Sequence, residues 1–360
     1  MIKMNTIGEI FKVTLFGESH GYCVGVVIDN CPPGLKLDEK YIEKELAKRR
    51  PKGLIGTERK EEDKVKILSG IFKNKSTGAP ITIITENKDL DSSDYELLRR
   101  VPRPGHADIT AHLKYRGFND YRSGGMFSGR LTASLVMAGA VAKQLLSRKR
   151  IEICAHTVQI GNIKIEKKLP FNALKKEVDK NRVRCADQEI ARKMEKAILE
   201  AKASGDTLGG IVECIVEKVP IGLGEPFFDS VESEIAKIIF SIPGVKGIEF
   251  GSGFKCAELK GSEHNDKFKV VKGRILTLTN NAGGLLGGLT NGMPIVFRIA
   301  FKPPSSIKKP QSSVNYKTLK EEPLVIKGRH DVCIAPRACV AVEGCTAIAL
   351  ADLCLRALKF

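Results

Sequence analysis

The segment that most restricts the fold is residues 340–358, near the end of the 360-residue chain. Its composition predicts a helix that is apolar on nearly every side, interrupted only by Glu343, Asp352 and Arg356. A helix that is apolar all round is stable in water only where other elements cover it. We therefore expect this helix to be buried in the core of a globular protein.

A mixture of helices and strands is predicted before this helix. Apolar spacing predicts helices between Asp38 and Pro51, over residues 129–146 and over residues 187–203. β-rich runs predict strands at residues 24–29, 65–72, 81–86, 210–219, 247–250, 275–279 and 294–301. Strands and helices do not alternate strictly, which favours an α+β fold over a doubly wound sheet. Because no change in composition marks a boundary, we expect a single domain over residues 1–360.

The chain carries a large excess of positive charge, which is open to more than one interpretation. The 59 Lys and Arg residues exceed the 42 Asp and Glu residues, for a net charge of +17. Such an excess could serve nucleic-acid binding, but the lysines are spread along the whole chain and aromatic residues make up only 6%. Stacking surfaces for nucleic acids need more rings than this. We interpret the charge first as a lysine-rich surface that reflects composition and solubility. The alternative is a small-polyanion site, in which arginine forks hold phosphate or carboxylate.

The cysteines and histidines indicate a reduced protein that carries no metal. None of the ten cysteines forms a C-x-x-C pair, and several lie in apolar runs, as Cys214 does. Buried thiols of this kind behave as small hydrophobic groups, so we expect reduced cysteines in the cytoplasm rather than disulfides or zinc. The six histidines lack metal-ligand spacing. Charged residues break the apolar runs well short of the ~18 residues that a membrane span needs, so no membrane partner is predicted.

Four segments combine glycine, histidine, serine and arginine in ways that packing does not require. They are Phe16-Gly-Glu-Ser-His20-Gly, Arg103-Pro-Gly-His106-Ala-Asp108 with the following 121–130 loop, the 280–289 loop with Lys302-Pro-Pro-Ser-Ser306, and Gly328-Arg-His-Asp331 with Arg337. Taken singly, each is open to a structural interpretation as a loop, a helix cap or an ion pair. Together they indicate anion binding and proton transfer, with harder chemistry left to a bound cofactor.

In this order and spacing the segments resemble chorismate synthase. The likeness runs from Asn5-Thr-Ile-Gly to the final helix and includes Asp29-Asn-Cys-Pro-Pro-Gly, Arg49-Arg-Pro, Val65-Lys-Ile-Leu-Ser-Gly and Asn281-Ala-Gly-Gly. It implies a β-α-β sandwich, with helices packed between antiparallel sheets, assembled as a homotetramer. It also implies conversion of 5-enolpyruvylshikimate 3-phosphate to chorismate, the last common step toward aromatic amino acids. Reduced FMN is required without net redox change.

The resemblance further implies roles for individual residues. His20 would be the acid beside the departing phosphate, His106 would stabilise the reduced flavin, and Asp331 would manage the flavin N5 proton. The positions implied for substrate binding are Ser19, Arg49, Arg130 and Arg337. Those implied for flavin binding are Met126, Phe127, Ser128, Gly287, Lys302, Pro303, Pro304, Ser305, Ser306 and Arg329.

The chain also departs from the family pattern. Met126 stands where many members have an arginine, and Leu131 where they have a glutamate. The family pattern has a further arginine after Arg49-Arg-Pro51, and this chain has other residues there, near residues 54–55. The replacement weakens any NADPH contact at that position. No reductase module is visible, so we expect a monofunctional enzyme that receives reduced flavin from an external reductase, with NADPH acting only indirectly. The alternatives are a related enzyme with lost activity or a changed substrate, and a basic nucleic-acid-binding protein.

Overall fold

The computed structural model describes residues 5–50, 53–56, 63–88, 95–167, 169–328 and 330–358. Within them the helices are α1 Glu39–Ala47, α2 Asp108–Lys114, α3 Thr132–Ser147, α4 Phe171–Glu177, α5 Gln188–Ala203, α6 Val231–Ile239, α7 Gly261–His264 and α8 Ala335–Arg356. The strands are β1 Thr6–Ile7, β2 Lys12–Gly17, β3 Cys23–Asp29, β4 Val65–Ile67, β5 Ile71–Phe72, β6 Lys75–Ser76, β7 Ile81–Glu86, β8 Glu152–Ile160, β9 Ile163–Lys164, β10 Gly210–Glu217, β11 Val245–Phe250, β12 Phe268–Val271, β13 Arg274–Thr277, β14 Leu285–Leu286, β15 Leu289–Thr290, β16 Ile295–Phe301, β17 Gln311–Val314 and β18 Glu321–Leu324.

Two five-stranded sheets form the outer layers of the molecule. The first has the strand order β1-β2-β3-β7-β4 and the second β11-β16-β10-β8-β9, and their strand pairs are antiparallel. At the centre of the second sheet, Cys214 of β10 lies opposite Phe297 of β16 and Ala155 of β8. Each sheet has an apolar face that must be covered.

Helices α3 and α8 lie between the two sheets and cover the apolar face of each. Helix α3 contacts β2, β3 and β7, helix α8 contacts β8 and β10, and the two helices pack on each other. They cross at two glycines, where a Cβ added to Gly139 would lie 2.2 Å from the Cα of Gly344. The sheet–helix–sheet order confirms the predicted α+β sandwich.

The charged residues that interrupt α8 each have partners in the structure. Glu343 accepts hydrogen bonds from Lys143 at 2.6 Å, Arg184 at 3.1 Å and the Ala155 backbone at 3.0 Å. Burial alone would raise the pKa of Glu343, but the Lys143 ammonium and the Arg184 guanidinium outweigh it and lower this pKa. The helix is therefore buried with its carboxylate paired, as a charge in a low-dielectric interior requires.

The other two charges of α8 connect distant parts of the chain. Asp352 accepts hydrogen bonds from the backbone N–H groups of Ile10 at 2.7 Å and Phe11 at 2.8 Å. Arg356 pairs with Asp229 at 2.7 Å. The segment that leads into β2 is thus held by a helix more than three hundred residues later in the chain.

The structure corrects some of the sequence predictions. Helix α8 has 22 residues and is long and apolar enough to cross a membrane, although we expected no run of that length; its most apolar part is 94% buried inside the fold. The run predicted over 65–72 is broken by Gly70, whose φ is +82° and whose added Cβ would meet Ile81 at 2.7 Å. Strand β8 was not predicted, because His156, Thr157 and Gln159 interrupt its apolar pattern.

Candidate active site

A cavity of about 250 Å³ lies where the central helices begin, between segments that are far apart in the chain. It gathers most of the residues to which the sequence assigned roles. These are Arg49, His106, Phe127, Ser128, Arg130, Lys302, Pro303, Pro304, Ser305, Ser306, Asp331 and Arg337. The first turn of α8 brings Arg337 to the same wall as Asp331, and the loop before α3 brings Ser128 and Arg130.

The loop before α3 has an unusual backbone. Ser123, Gly124 and Gly125 all have positive φ, at 51°, 84° and 53°. A side chain at Gly125 would lie 2.3 Å from the carbonyl oxygen of Asp120, so only glycine fits there. Ser128 then caps the following turn by accepting a hydrogen bond from the Arg130 backbone at 3.3 Å. The glycines thus turn the chain sharply and direct residues 127–130 to the cavity.

Two of the cavity arginines share one carboxylate. The guanidinium of Arg130 is paired with Asp63, and that of Arg49 lies 3.7 Å from the same side chain. Arg130 also donates to the amide oxygen of Asn87 at 2.8 Å. Because Arg49 and Asp63 are buried, these contacts fix the guanidiniums in place before any ligand arrives.

Asp331 and Arg337 form a second charged pair in the cavity. The Arg337 guanidinium donates to Asp331 at 2.5 Å and, through Nε, to the backbone oxygen of Arg49 at 2.9 Å. The first turn of α8 is therefore hydrogen-bonded directly to the backbone of Arg49.

His106 lies at the edge of the cavity and is held by a buried carboxylate. Its Nδ1 is 2.6 Å from Asp108, and Asp108 also binds both Nε and Nη2 of Arg103 at 2.8 Å. Burial would raise the pKa of Asp108, but the hydrogen bonds from Arg103 and His106 outweigh it and hold this pKa well below its usual range. Arg103 reaches on to Ser306 Oγ at 3.3 Å.

Ser19 and His20 are placed next to the cavity rather than in its wall. Both are buried, and the His20 ring stands edge-on to Tyr95 with centroids 5.3 Å apart. Asn87 joins their turn to the site, because its amide donates to the Glu18 and Gly21 carbonyls while its oxygen accepts from Arg130.

Two predicted flavin contacts lie off the cavity, and the position of a third is not described. Met126 is 38% exposed and its sulfur lies 3.9 Å from the Tyr115 hydroxyl, off the cavity wall. Gly287 lies in the turn that joins β14 to β15 and does not line the cavity. Arg329 is outside the described residues.

The structure adds lining residues to which sequence reasoning gave no role. Ile242, Pro243 and Gly244, in the turn between α6 and β11, form one wall. Gly244 has a φ of +90°, and a Cβ there would meet Ile334 at 2.6 Å. The Pro-Gly pair between a helix and a strand was the only signal for this turn in the sequence.

The cavity can bind a multiply charged anion beside a flat apolar group. Among the described lining residues, Arg49, Arg103, Arg130, Lys302 and Arg337 are cationic, whereas Asp331 is the anionic one. The aromatic, proline and isoleucine side chains supply an apolar wall. His106 and Asp331 add groups able to hold or transfer a proton.

Comparison with known proteins identifies the family. The chorismate synthase family profile matches residues 11–355.

The chain belongs to the chorismate synthase family.

Individual relatives agree along nearly the whole length. A chorismate synthase of Dehalococcoides mccartyi is 49% identical over 355 residues, which cover 98% of this chain and 97% of the relative. The chorismate synthase of Korarchaeum cryptofilum is 48% identical, covering 98% of this chain and 99% of its own. A crystal structure of chorismate synthase superimposes with a TM-score of 0.79 at 29% identity, covering 98% of this chain and 94% of the other.

Proposed function

We propose that this chorismate synthase converts 5-enolpyruvylshikimate 3-phosphate to chorismate by an anti 1,4-elimination. The C3–O bond to phosphate breaks, a hydrogen leaves C6, and a new double bond forms. The observation that supports this most directly is that segments 49, 103–106, 127–130, 302–306 and 331–337 meet around one cavity.

The substrate is held through its charges. It carries one phosphate and two carboxylates, and the cavity offers the guanidiniums of Arg49, Arg130 and Arg337. Since the contacts to Asp63 and Asp331 orient these groups in advance, little side-chain entropy is lost on binding.

The residues present also fit reduced FMN. Phe127, Ile242 and Pro243 supply apolar surface, and the Lys302 ammonium supplies a cation for a phosphate. When bound, reduced FMN supplies electron density transiently and recovers it, so no net redox change results. Met126 cannot supply the charge of the arginine common in the family, and the backbone of the 124–128 loop would make the contact instead.

Protons are handled by His20, His106 and Asp331. His20, buried beside the Asn87–Arg130 bridge, donates a proton to the departing phosphate. His106 would stabilise the charge of a bound reduced flavin, and Asp331, paired with Arg337, would hold or accept the proton at the flavin N5 position. A positioned proton donor of this type contributes about 10²–10⁴ in rate.

The wider setting follows the same proposal. The enzyme is monofunctional, receives reduced flavin from an external reductase that uses NADPH, and acts as a homotetramer in the cytoplasm in the last common step toward aromatic amino acids. The ten cysteines, all unpaired in the structure, are consistent with a reducing compartment.

The test is anaerobic turnover with photoreduced FMN and 5-enolpyruvylshikimate 3-phosphate, following chorismate and phosphate together. We expect equal amounts of both, and none with oxidised FMN. His106→Ala should reduce turnover by about 10²–10⁴ while the protein stays folded. A folded protein that binds both ligands without forming product would instead favour the alternative of a related enzyme with lost activity or a changed substrate. Met126 and Leu131 would then be the first residues to test by substitution.

A further inference from the structure

His106 is held at one ring nitrogen by contacts to which the proposed function assigns no role. Its Nδ1 lies 2.6 Å from Oδ1 of Asp108 and 3.0 Å from Nη2 of Arg103. On another side, a Cβ added to Gly124 would lie 2.9 Å from the ring Cε1 and 3.3 Å from Nε2. The observed contacts therefore orient the imidazole through Nδ1, and the absence of a side chain at Gly124 leaves room for the opposite edge of the ring.

These contacts decide which ring nitrogen carries the proton. Arginine only donates hydrogen bonds and an ionised carboxylate only accepts them, so the two neighbours make opposite demands on Nδ1. The guanidinium of Arg103 already has acceptors, since Nε and Nη2 each reach an oxygen of Asp108 at 2.8 Å. The shorter contact, to the carboxylate, has the length of a charge-assisted bond. Nδ1 therefore carries a hydrogen and donates it to Asp108.

Neutral imidazole then has its lone pair on Nε2. This is the nitrogen beside Gly124, and His106 borders both the cavity and an adjoining pocket that Gly124 lines. Replacing Gly124 by any other residue would push a side chain into this edge of the ring.

We propose that Asp108 is the positioning residue of His106, holding it as the Nδ1–H tautomer so that Nε2 is the atom that exchanges protons in the cavity. Arg103 keeps Asp108 ionised and fixed through its bidentate contact. The link to turnover rests on the proposed function; the tautomer does not.

The surrounding structure keeps this arrangement rigid. The carbonyl oxygen of Gly105 accepts hydrogen bonds from Lys302 and from Ser305, the latter at 2.7 Å. The turn that carries His106 is thereby bound to the 302–306 segment of the same cavity.

The direct test uses the wild-type chain alone, without flavin or substrate. Nitrogen-15 labelling of histidine gives separate NMR signals for protonated and unprotonated ring nitrogens, and loss of one signal set in His106→Gln assigns His106. At a pH high enough for the ring to be neutral, we expect a protonated Nδ1 and an unprotonated Nε2. The opposite tautomer, or a fast mixture of both, would overturn the proposal even if the enzyme is fully active.

The second test is Asp108→Asn. An amide in this position offers an N–H to Nδ1 and so favours the wrong tautomer; in a serine-protease triad the equivalent change lowers kcat by about 10⁴. We expect the tautomer of His106 to reverse and kcat to fall by about 10²–10⁴, with KM for the substrate little changed. Unchanged turnover and tautomer in a folded Asp108→Asn protein would refute the role.

Glu213→Gln is the matched control, because Glu213 lies 3.3 Å from Nε2 of His156 on the second sheet, away from the cavity. Its turnover should equal that of the wild type. If Asp108→Asn does not fold, the tautomer of His106 measured in the wild type still supports or overturns the proposal. If the wild type shows no turnover, the proposed function fails while the tautomer result stands.

Discussion

Two clusters of buried charges lie in this molecule, one in the core and one at the cavity, and they differ in their balance. In the core, Lys143 lies between Glu45 and Glu343, and Arg184 also reaches Glu343. Lys48 also pairs with Glu45 and Asp179 with Arg184, so three cations there face three carboxylates and each charge has a partner within the protein. This cluster joins α1, α3 and α8 and binds nothing from outside.

At the cavity the cations are in excess. Arg49 and Arg130 share Asp63, Arg337 pairs with Asp331, and Lys302 lines the same cavity. An excess of fixed positive charge in a partly enclosed space attracts an anion strongly. The comparison teaches that the same residue types stabilise the fold when their charges are balanced and bind a ligand when they are not.

The largest expected effect comes from breaking the core cluster. Glu343→Ala leaves Lys143 and Arg184 buried without their shared carboxylate, which should cost about 3–5 kcal/mol in the free energy of unfolding. Urea denaturation measures it. A loss below about 1 kcal/mol, the value of a surface pair, would contradict the assignment of this cluster to the core.

The next effect comes from the cavity cluster. Arg49→Ala removes one side of the anion site and should weaken substrate binding by about 1.5–3 kcal/mol, the range for a charge-assisted hydrogen bond. Isothermal titration with the substrate measures it. Lys269→Ala, on an exposed strand, is the matched control; equal losses in the two variants would remove Arg49 from the site.

The pH dependence of stability gives a further test of the core cluster. Since the pKa of Glu343 is lowered on folding from its ordinary value of 4.5, its contribution is fully present above that value and is lost as pH falls through the lower, folded pKa. Stability should therefore decline below pH 4.5 more steeply in the wild type than in Glu343→Gln. Parallel acid-denaturation curves for the two proteins would argue against this linkage.

The smallest effect is expected at the surface. Lys193 pairs with Glu189 one turn earlier on α5 at 2.7 Å, and both side chains are exposed. Lys193→Ala should leave the thermal midpoint unchanged within error, because solvent screens such pairs. A shift as large as that of Glu343→Ala would mean that burial does not separate the two kinds of pair.

Much of the fold was predictable because local patterns agree with it. Asp38 caps α1 as predicted, accepting from the Lys40 backbone at 3.0 Å, and the apolar segment at 340–358 is buried as helix α8. The partners of Glu343 and Asp352 were not predictable, because they come from Lys143, Arg184 and residues 9–11, which only the tertiary fold brings near.

Part of the site was also predictable from the sequence. Motifs such as Arg103–Asp108 carry chemically distinctive side chains, so sequence reasoning found them. The 242–244 turn contributes through its shape, and Asp63 and Asn87 contribute by orienting Arg130. Roles of that kind leave no pattern in a single sequence.

The burial of α8 between both sheets has a consequence for synthesis. Helix α8 follows β8 and β10, the strands of the second sheet that it contacts, so the apolar face of that sheet is made before its cover exists. At about 5–20 residues per second on the ribosome, the stretch from the end of β8 at Ile160 to the end of α8 at Arg356 takes about 10–40 seconds to make. Asp352 binds the backbone of residues 9–11 only once α8 has been made. The apolar face of the second sheet therefore stays without this helix until late in synthesis.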